Sequence, residues 1–236
     1  MSNNFFNFST DKNSIFLLLI DVSGSMSDSE NDIRKGIQSF IDSFENFPEK
    51  NSISVSLCKF DSDFYKDEFK RIDDLCIGEL PFDGATALYY SICKGAKILQ
   101  NYIDEVVETK KILPNATFIV FSDGEPCRDP GNRSDAKKAI RGLNNAGITT
   151  AFVAFGEAIS SKFGDNLGFM STIDVNERSK LVEFLGEDLS QSVKRQSKSL
   201  KSLGSNFFSK TTQSNSEKYS AKTQQALEDD DWYNDI

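Results

Sequence analysis

Five oxygen-bearing side chains in three separated stretches could do chemistry together. The first stretch, Ile20-Asp21-Val22-Ser23-Gly24-Ser25-Met26-Ser27, crowds one carboxylate and three hydroxyls around a glycine. The second, Asp83-Gly84-Ala85-Thr86, puts a threonine at the start of a helical pattern. The third, Phe121-Ser122-Asp123-Gly124-Glu125, adds a carboxylate after an apolar run. Carboxylates and hydroxyls are hard donors. They suit a hard cation such as magnesium, which takes six oxygens in octahedral geometry and keeps several waters. Asp21, Ser23, Ser25, Thr86 and Asp123 are therefore the candidate metal ligands, for Mg²⁺ first, with Mn²⁺ or Ca²⁺ as substitutes. Hydroxyls put little formal charge on the ion, so it stays electrophilic toward a carboxylate from outside. That chemistry describes a metal-bridged docking site better than a hydrolytic one. The chain has no histidine, and no lysine or extra glutamate stands out as placed to activate water.

Such residues need elements that bring them together. The continuous apolar run from Ser14 to Ile20 predicts a fully buried strand, as at the centre of a parallel sheet. Apolar residues at helical spacing follow from Ser29 to Phe47, and Pro48 ends them. Ser52 to Phe60 alternates as a second strand. Phe64 to Ile72 is its expected hairpin partner across Asp61-Ser62-Asp63, at an antiparallel edge. Thr86 to Val107 reads as a helix with a break near Asn101. Ala116 to Phe121 is a strand, Ser134 to Asn145 a helix closed by Gly147, and Ile148 to Phe155 a strand. A loop with one helical turn covers Gly156 to Asn166. Leu167 to Met170 is expected as a last short strand, and Asn176 to Leu203 as a long final helix. Strand alternating with helix predicts an α/β fold: a doubly wound, mostly parallel sheet with one antiparallel edge strand, flanked by helices. In such a sheet the loops after the strands gather at the carboxyl edge, where ligands bind. Asp21, Ser23, Ser25 and Asp123 would meet there. Thr86 must reach the same edge, which its place at a helix N-terminus permits.

Bulk composition excludes several classes. Acids outnumber bases 36 to 27 over 236 residues, for a net charge of −9. That balance argues against nucleic-acid binding, which needs a basic face. The absence of histidine removes Ser-His-Asp and Cys-His nucleophile systems and histidine-ligated zinc. The four cysteines, Cys58, Cys76, Cys93 and Cys127, show no CxxC spacing and read as buried reduced thiols. The first ten residues lack a basic start and a long apolar core, so no signal peptide is expected. No apolar run approaches ~20 residues, so no membrane span is expected either, and the expected compartment is the cytoplasm.

The organisation expected is a lead-in over 1–13, one domain over 14–203 and a flexible polar tail over 204–236. Phe5, Phe6 and Phe8 of the lead-in could add an edge strand. The basic residues Lys194, Arg195, Lys198, Lys201 and Lys210 read as the solvated face and end of the last helix. The tail closes on an acidic aromatic segment, Glu228 to Ile236. Its carboxylates are a candidate ligand for the metal, in the same chain or a neighbouring copy. Glu125 reads as an exposed loop residue, and Asp61 and Asp63 as turn residues.

Taken together, the three stretches resemble the von Willebrand factor A (VWA) domain. Asp21-Val22-Ser23-Gly24-Ser25 is similar to its DxSxS signature, Thr86 to its threonine loop, and Asp123 to its second aspartate. The resemblance covers about residues 13–200 and implies an intact metal-ion-dependent adhesion site (MIDAS). It implies that Ser23, Ser25 and Thr86 ligate the ion directly or nearly so. Asp21 and Asp123 would act through waters or directly, and a partner Asp or Glu would fill the remaining position. Leu17 to Ser27 and Asp123-Gly124-Glu125-Pro126 most resemble small cytosolic bacterial VWA proteins of the tellurite-resistance and stress-response type. That likeness implies an adaptor or regulator in stress response or phage defence, with a kinase, a PP2C-type phosphatase or an AAA+ ATPase as partner. Cys127-Arg128-Asp129 departs from the Thr-Asp that follows proline in that type, so no secondary role carries over to Asp129.

The rival class is an enzyme. A Mg²⁺-dependent phosphatase could use Asp21 as an aspartyl nucleophile. Those sites carry a second acid two residues on, where this chain has Ser23, and no lysine with a late acid accompanies it.

Overall fold

The computed structural model describes residues 13–208 apart from 157–159, 178–179 and 200. The expected Phe-rich edge strand and the acidic tail segment lie outside the described residues. Among the described residues seven strands form one sheet: β1 (Ser14–Asp21), β2 (Ile53–Phe60), β3 (Phe64–Tyr65), β4 (Lys70–Arg71), β5 (Asn115–Ser122), β6 (Thr149–Phe155) and β7 (Ser171–Val175). Their order is β3-β2-β1-β5-β6-β7, with β4 also on β2. The long strands pair in parallel, and β3 and β4 run antiparallel to β2. The α/β class and the antiparallel edge are thus as expected. The single hairpin strand expected over Phe64 to Ile72 is instead two dipeptides separated by Lys66–Phe69.

β1 is central and buried along its whole length, which is why it reads as unbroken hydrophobicity. Its alternate residues serve two cores. Phe16, Leu18 and Ile20 face the cluster shared with α1 (Glu30–Asp42) and the last helical run. Ile15, Leu17 and Leu19 face the cluster under α2 (Leu88–Lys110), α3 (Arg133–Asn145) and α4 (Ser161–Leu167). The chain leaves β1 toward one face and β5 toward the other. The carboxyl ends of these adjacent strands therefore form a topological switch point, the crevice where open α/β sheets bind ligands.

Several boundaries differ from expectation. α2 is continuous through Asn101, where Tyr102 stacks on Phe69 with ring centroids 3.9 Å apart. α1 ends at Asp42. Phe44 and Phe47 are buried all the same, through turns that follow the helix. Leu167 to Met170 is no strand: Leu167 ends α4, Gly168 caps it at φ 88°, and β7 starts at Ser171. The positive φ at Gly168 stops the helix and releases the chain into the sheet.

The final helix is shorter than expected and irregular. It runs from α5 (Leu181–Glu183) through a π-helical stretch, Phe184–Leu189, into α6 (Ser190–Lys198). The irregular part lies against α1 at two glycines. A side chain at Gly36 would collide with Leu185, and one at Gly186 with Ser39. Gly186→Leu should therefore destabilise the fold by about 1–3 kcal/mol through overpacking, read as a lower midpoint in urea. Gly142 on α3 has open space around its Cα, so Gly142→Ala should instead add roughly 0.5–1 kcal/mol.

The basic residues of the last helix do more than meet solvent. Lys194 Nζ donates to the Ser43 carbonyl at 2.6 Å and lies 4.9 Å from the Phe44 ring centroid. Lys198 sits 5.0 Å from the Phe47 centroid, and Arg195 donates to the Phe207 carbonyl. These contacts tie the helix to the end of α1 and to the chain beyond 203. Phe207 and Phe208, assigned to the flexible tail by the expected boundary, are buried in the core. The packed body thus runs at least to Phe208. Among the described residues no helix is long and apolar enough to cross a membrane. The four cysteines are free, but burial holds fully only for Cys58: Cys93 is half-buried, and Cys76 and Cys127 are exposed because they sit in loops rather than in strand or helix.

Candidate metal centre

The sheet brings all three stretches to its carboxyl edge. Asp21 is the last residue of β1, and Ser122, the last of β5, directly precedes Asp123. Asp21 is 0% exposed. Its Oδ1 accepts from the Ser23 N–H at 2.9 Å and its Oδ2 from the Ser122 hydroxyl at 2.6 Å. The turn that follows is thereby fixed, with the Ser23 and Ser25 hydroxyl oxygens 3.2 Å apart. Ser25 in turn donates to Asp123 Oδ1 at 2.8 Å. Asp21, Ser122, Asp123, Ser25 and Ser23 are thus linked across the ends of β1 and β5.

Thr86 joins from the third loop. Gly24 N–H donates to the Gly84 carbonyl at 3.2 Å, which locks the serine turn onto the threonine loop. The position a Cβ would take on Gly124 lies 3.7 Å from both Ser25 Oγ and Thr86 Oγ1. The two hydroxyls therefore line the same small space. Thr86 is 6% exposed, and among the described residues no hydrogen bond engages its hydroxyl. Its oxygen therefore has lone pairs to offer at the site. A hard cation there would be a suitable partner.

Burial dominates the electrostatics. It pushes the Asp21 carboxyl up from 3.8 to about 6, against the lowering effect of its bonds to Ser122 and Ser23, and the nearby Asp123 charge adds to the rise. A cation would reverse that balance by favouring both carboxylates. Among the described residues, no group of three or more His, Cys, Asp or Glu side chains gathers as a metal cluster. The candidate centre is instead rich in hydroxyls, with Asp21 and Asp123 its two carboxylates. That donor set fits an oxygen-seeking ion such as Mg²⁺ and does not suit one that needs thiolate or imidazole.

All five residues expected at the site are therefore on one edge of the sheet and near one another. Three supports were not anticipated. Ser122 holds the inner oxygen of Asp21 and also bonds the Gly124 carbonyl at 3.1 Å. Its place just before Asp123 was the available signal. Asp61 and Ser62 are turn residues, as read, with Asp63 N–H on Asp61 Oδ1 at 2.7 Å. They also hold the threonine loop, since the Asp61 carbonyl accepts from Ala87 and Ser62 Oγ from Ala85. Asp129, to which no role was assigned, caps α2 from across the crevice. Glu125 is exposed.

No protein-family model matches the sequence, and no curated protein matches it. Solved structures do match its fold. The pilus adhesin SpaC from Lactobacillus rhamnosus GG aligns with a TM-score of 0.63 at 14% identity, over 79% of this chain and 31% of that one. Proximal thread matrix protein 1 of the mussel byssus, solved with zinc in its MIDAS motif, aligns with a TM-score of 0.55 at 14% identity, over 75% and 48%. The vWF domain of the type V pilus tip protein Mfa5 from Porphyromonas gingivalis aligns at 0.54 and 11%, over 81% and 98%. The chain thus spans about a third of SpaC and half of the byssus protein, and nearly the whole of the isolated Mfa5 domain. Its mostly parallel sheet, flanking helices and antiparallel edge give this chain the VWA-like fold.

Proposed function

We propose that this protein is a metal-dependent interaction module that holds a partner's Asp or Glu through a divalent cation, Mg²⁺ in the cell. The observation that carries the reading is the convergence of Ser23, Ser25 and Asp123 with Thr86, whose hydroxyl no hydrogen bond engages among the described residues, at the β1–β5 switch point. Bound there, the ion would supply a Lewis-acidic position for an incoming carboxylate. Ser23, Ser25 and Thr86 would face it with neutral oxygens, and Asp21 and Asp123 would orient the hydroxyls and balance its charge. A zinc-occupied MIDAS in the byssus protein is consistent with this class of site.

The same reading makes the protein non-enzymatic. Asp21 is fully buried, and each of its oxygens accepts a hydrogen bond from the protein, which keeps it out of line for attack on a phosphorus atom arriving from solvent. With saturating Mg²⁺ and an aryl phosphate as substrate, turnover should not exceed that of Asp21→Asn. Turnover that disappears in Asp21→Asn would replace docking with phosphatase chemistry.

Within this proposal the protein works in the cytoplasm as an adaptor or regulator in bacterial stress response or phage defence. A kinase, a PP2C-type phosphatase or an AAA+ ATPase is the partner. The likeness of Leu17 to Ser27 and of Asp123-Gly124-Glu125-Pro126 to the tellurite-resistance type supports that placement. The test is capture on the immobilised full chain with and without EDTA, read by mass spectrometry, with Thr86→Ala as control. The reading expects a partner that is lost on chelation and absent from the Thr86→Ala eluate. Capture that survives both changes contradicts it.

A further inference from the structure

The start of α2, directly after the threonine loop, has no side-chain cap from its own N-cap residue. Ala87 precedes α2 and cannot cap it with a side chain, although the first turn of any helix leaves backbone N–H groups without intrahelical partners. The cap comes from 40 residues away. Asp129 Oδ2 accepts from Tyr89 N–H at 2.5 Å, and Oδ1 accepts from Tyr90 N–H at 3.2 Å and from Gly131 N–H at 2.7 Å. Next to it, Cys127 N–H donates to the Thr86 carbonyl at 3.1 Å. Gly131 lies so close to the backbone of Tyr89 and Tyr90 that any side chain there would collide with it. The segment that begins with Asp123 thus grips the chain at the Thr86 carbonyl and at the first turn of α2 that follows it.

We propose that Asp129 is a positioning residue for the metal centre: it fixes the start of α2 to the loop after β5, so that Thr86 and Asp123 are presented at one mutual distance. This inference rests on the metal reading above. It assigns Asp129 no contact with the ion. Its carboxylate suits the positive end of α2 and satisfies donors that neither Ala87 nor Leu88 can. Without it, the first turn of α2 would take water as its partner, and Thr86 would lose the fixed relation to Asp123 that a rigid ligand set requires. Residues that orient metal ligands from behind typically change affinity 10–100-fold when removed.

The experiment compares the full chain with Asp129→Ala, Asp129→Asn and Asp129→Glu by calorimetric titration of Mn²⁺. Amide hydrogen exchange at Ala87 to Tyr90 is followed in the metal-free proteins. The inference expects Asp129→Ala to bind Mn²⁺ at least about tenfold more weakly and to exchange faster at Tyr89 and Tyr90. Asp129→Asn, which keeps one acceptor oxygen, should fall between it and the parent. A lengthened carboxylate in Asp129→Glu should restore exchange protection more than affinity. A cap that is merely structural would speed exchange and leave Mn²⁺ affinity within twofold of the parent, and that result overturns the inference alone. Failure of the parent chain itself to bind Mn²⁺ overturns the metal reading, and the inference with it.

Discussion

Replacing Asp21 by Asn is expected to make the metal-free protein more stable at neutral pH while abolishing its response to magnesium. The Asp21 carboxyl is raised by burial from 3.8 to about 6. Because the folded state holds the proton more tightly than the unfolded state, stability falls as pH rises through this interval. The effect is absent below the ordinary value near 3.8, develops up to about 6, and is complete above it. At ~1.4 kcal/mol per pH unit, the ionised carboxylate costs the metal-free fold roughly 3 kcal/mol at pH 7. Asparagine fits the same bonds. Its amide oxygen can accept from Ser23 N–H, and its amide NH₂ can donate to Ser122 Oγ, whose own proton can turn to the Gly124 carbonyl 3.1 Å away. Urea denaturation at pH 4.5 and pH 7 with EDTA present checks the prediction. The parent should lose stability between the two, and Asp21→Asn should lose much less. An Asp21→Asn chain less stable than the parent at pH 7 would show that the carboxylate is not penalised in the metal-free fold.

Saturating metal is expected to restore what burial costs. An ion that binds only the folded state stabilises it by about 2.7 kcal/mol at a free concentration of 100 Kd, or about 5–10 °C in melting temperature for a domain of this size. Thr86→Ala should remove most of that gain and leave the melting temperature in EDTA near the parent value. The Thr86 hydroxyl holds no hydrogen bond among the described residues, so the metal-free fold loses little without it. Its methyl loss is small beside the ligand loss. A melting temperature that does not respond to millimolar Mg²⁺ or Mn²⁺, or one that responds equally in Thr86→Ala, contradicts this account. The two predictions are linked. Proton and cation compete for the same charge, so the stabilisation by metal should weaken as pH falls below about 6, where Asp21 is increasingly protonated.

Much of this was legible in the sequence because two signals agreed. The unbroken apolar run of β1 reads as a strand buried on both faces. A turn rich in short polar residues directly after it could only lie at the carboxyl edge. The Thr86 and Asp123 stretches then converge on that edge because β5 lies beside β1 and α2 starts there. Periodicity failed where tertiary contact decides the geometry. Asn101 did not break α2, because a polar residue on an exposed helix face costs little, and Tyr102 beside it is held by Phe69. Leu167 to Met170 is apolar enough for a strand, but Gly168 spends its conformational freedom on ending α4. Phe207 and Phe208 lie in a polar stretch, and only the open side of the core beside Phe184 draws them in.

The site supports were hidden for a related reason. Ser122 looks like an ordinary strand-end serine until its hydroxyl is seen on Asp21. Asp129 looks like a turn residue before Pro130 until the start of α2, distant in sequence, comes to rest against it. Long-range capping leaves no local pattern, whereas capping by a neighbouring residue does.

The central claim is that one cation sits among Ser23, Ser25, Thr86, Asp21 and Asp123. Titration of Mn²⁺ into the full chain, with the free ion followed by electron paramagnetic resonance, tests it most directly. The account predicts one ion bound per chain, displaced by Mg²⁺ and lost in the Ser23→Ala, Ser25→Ala double variant. Manganese that stays free in the presence of the parent chain, or that binds the double variant equally well, would contradict it.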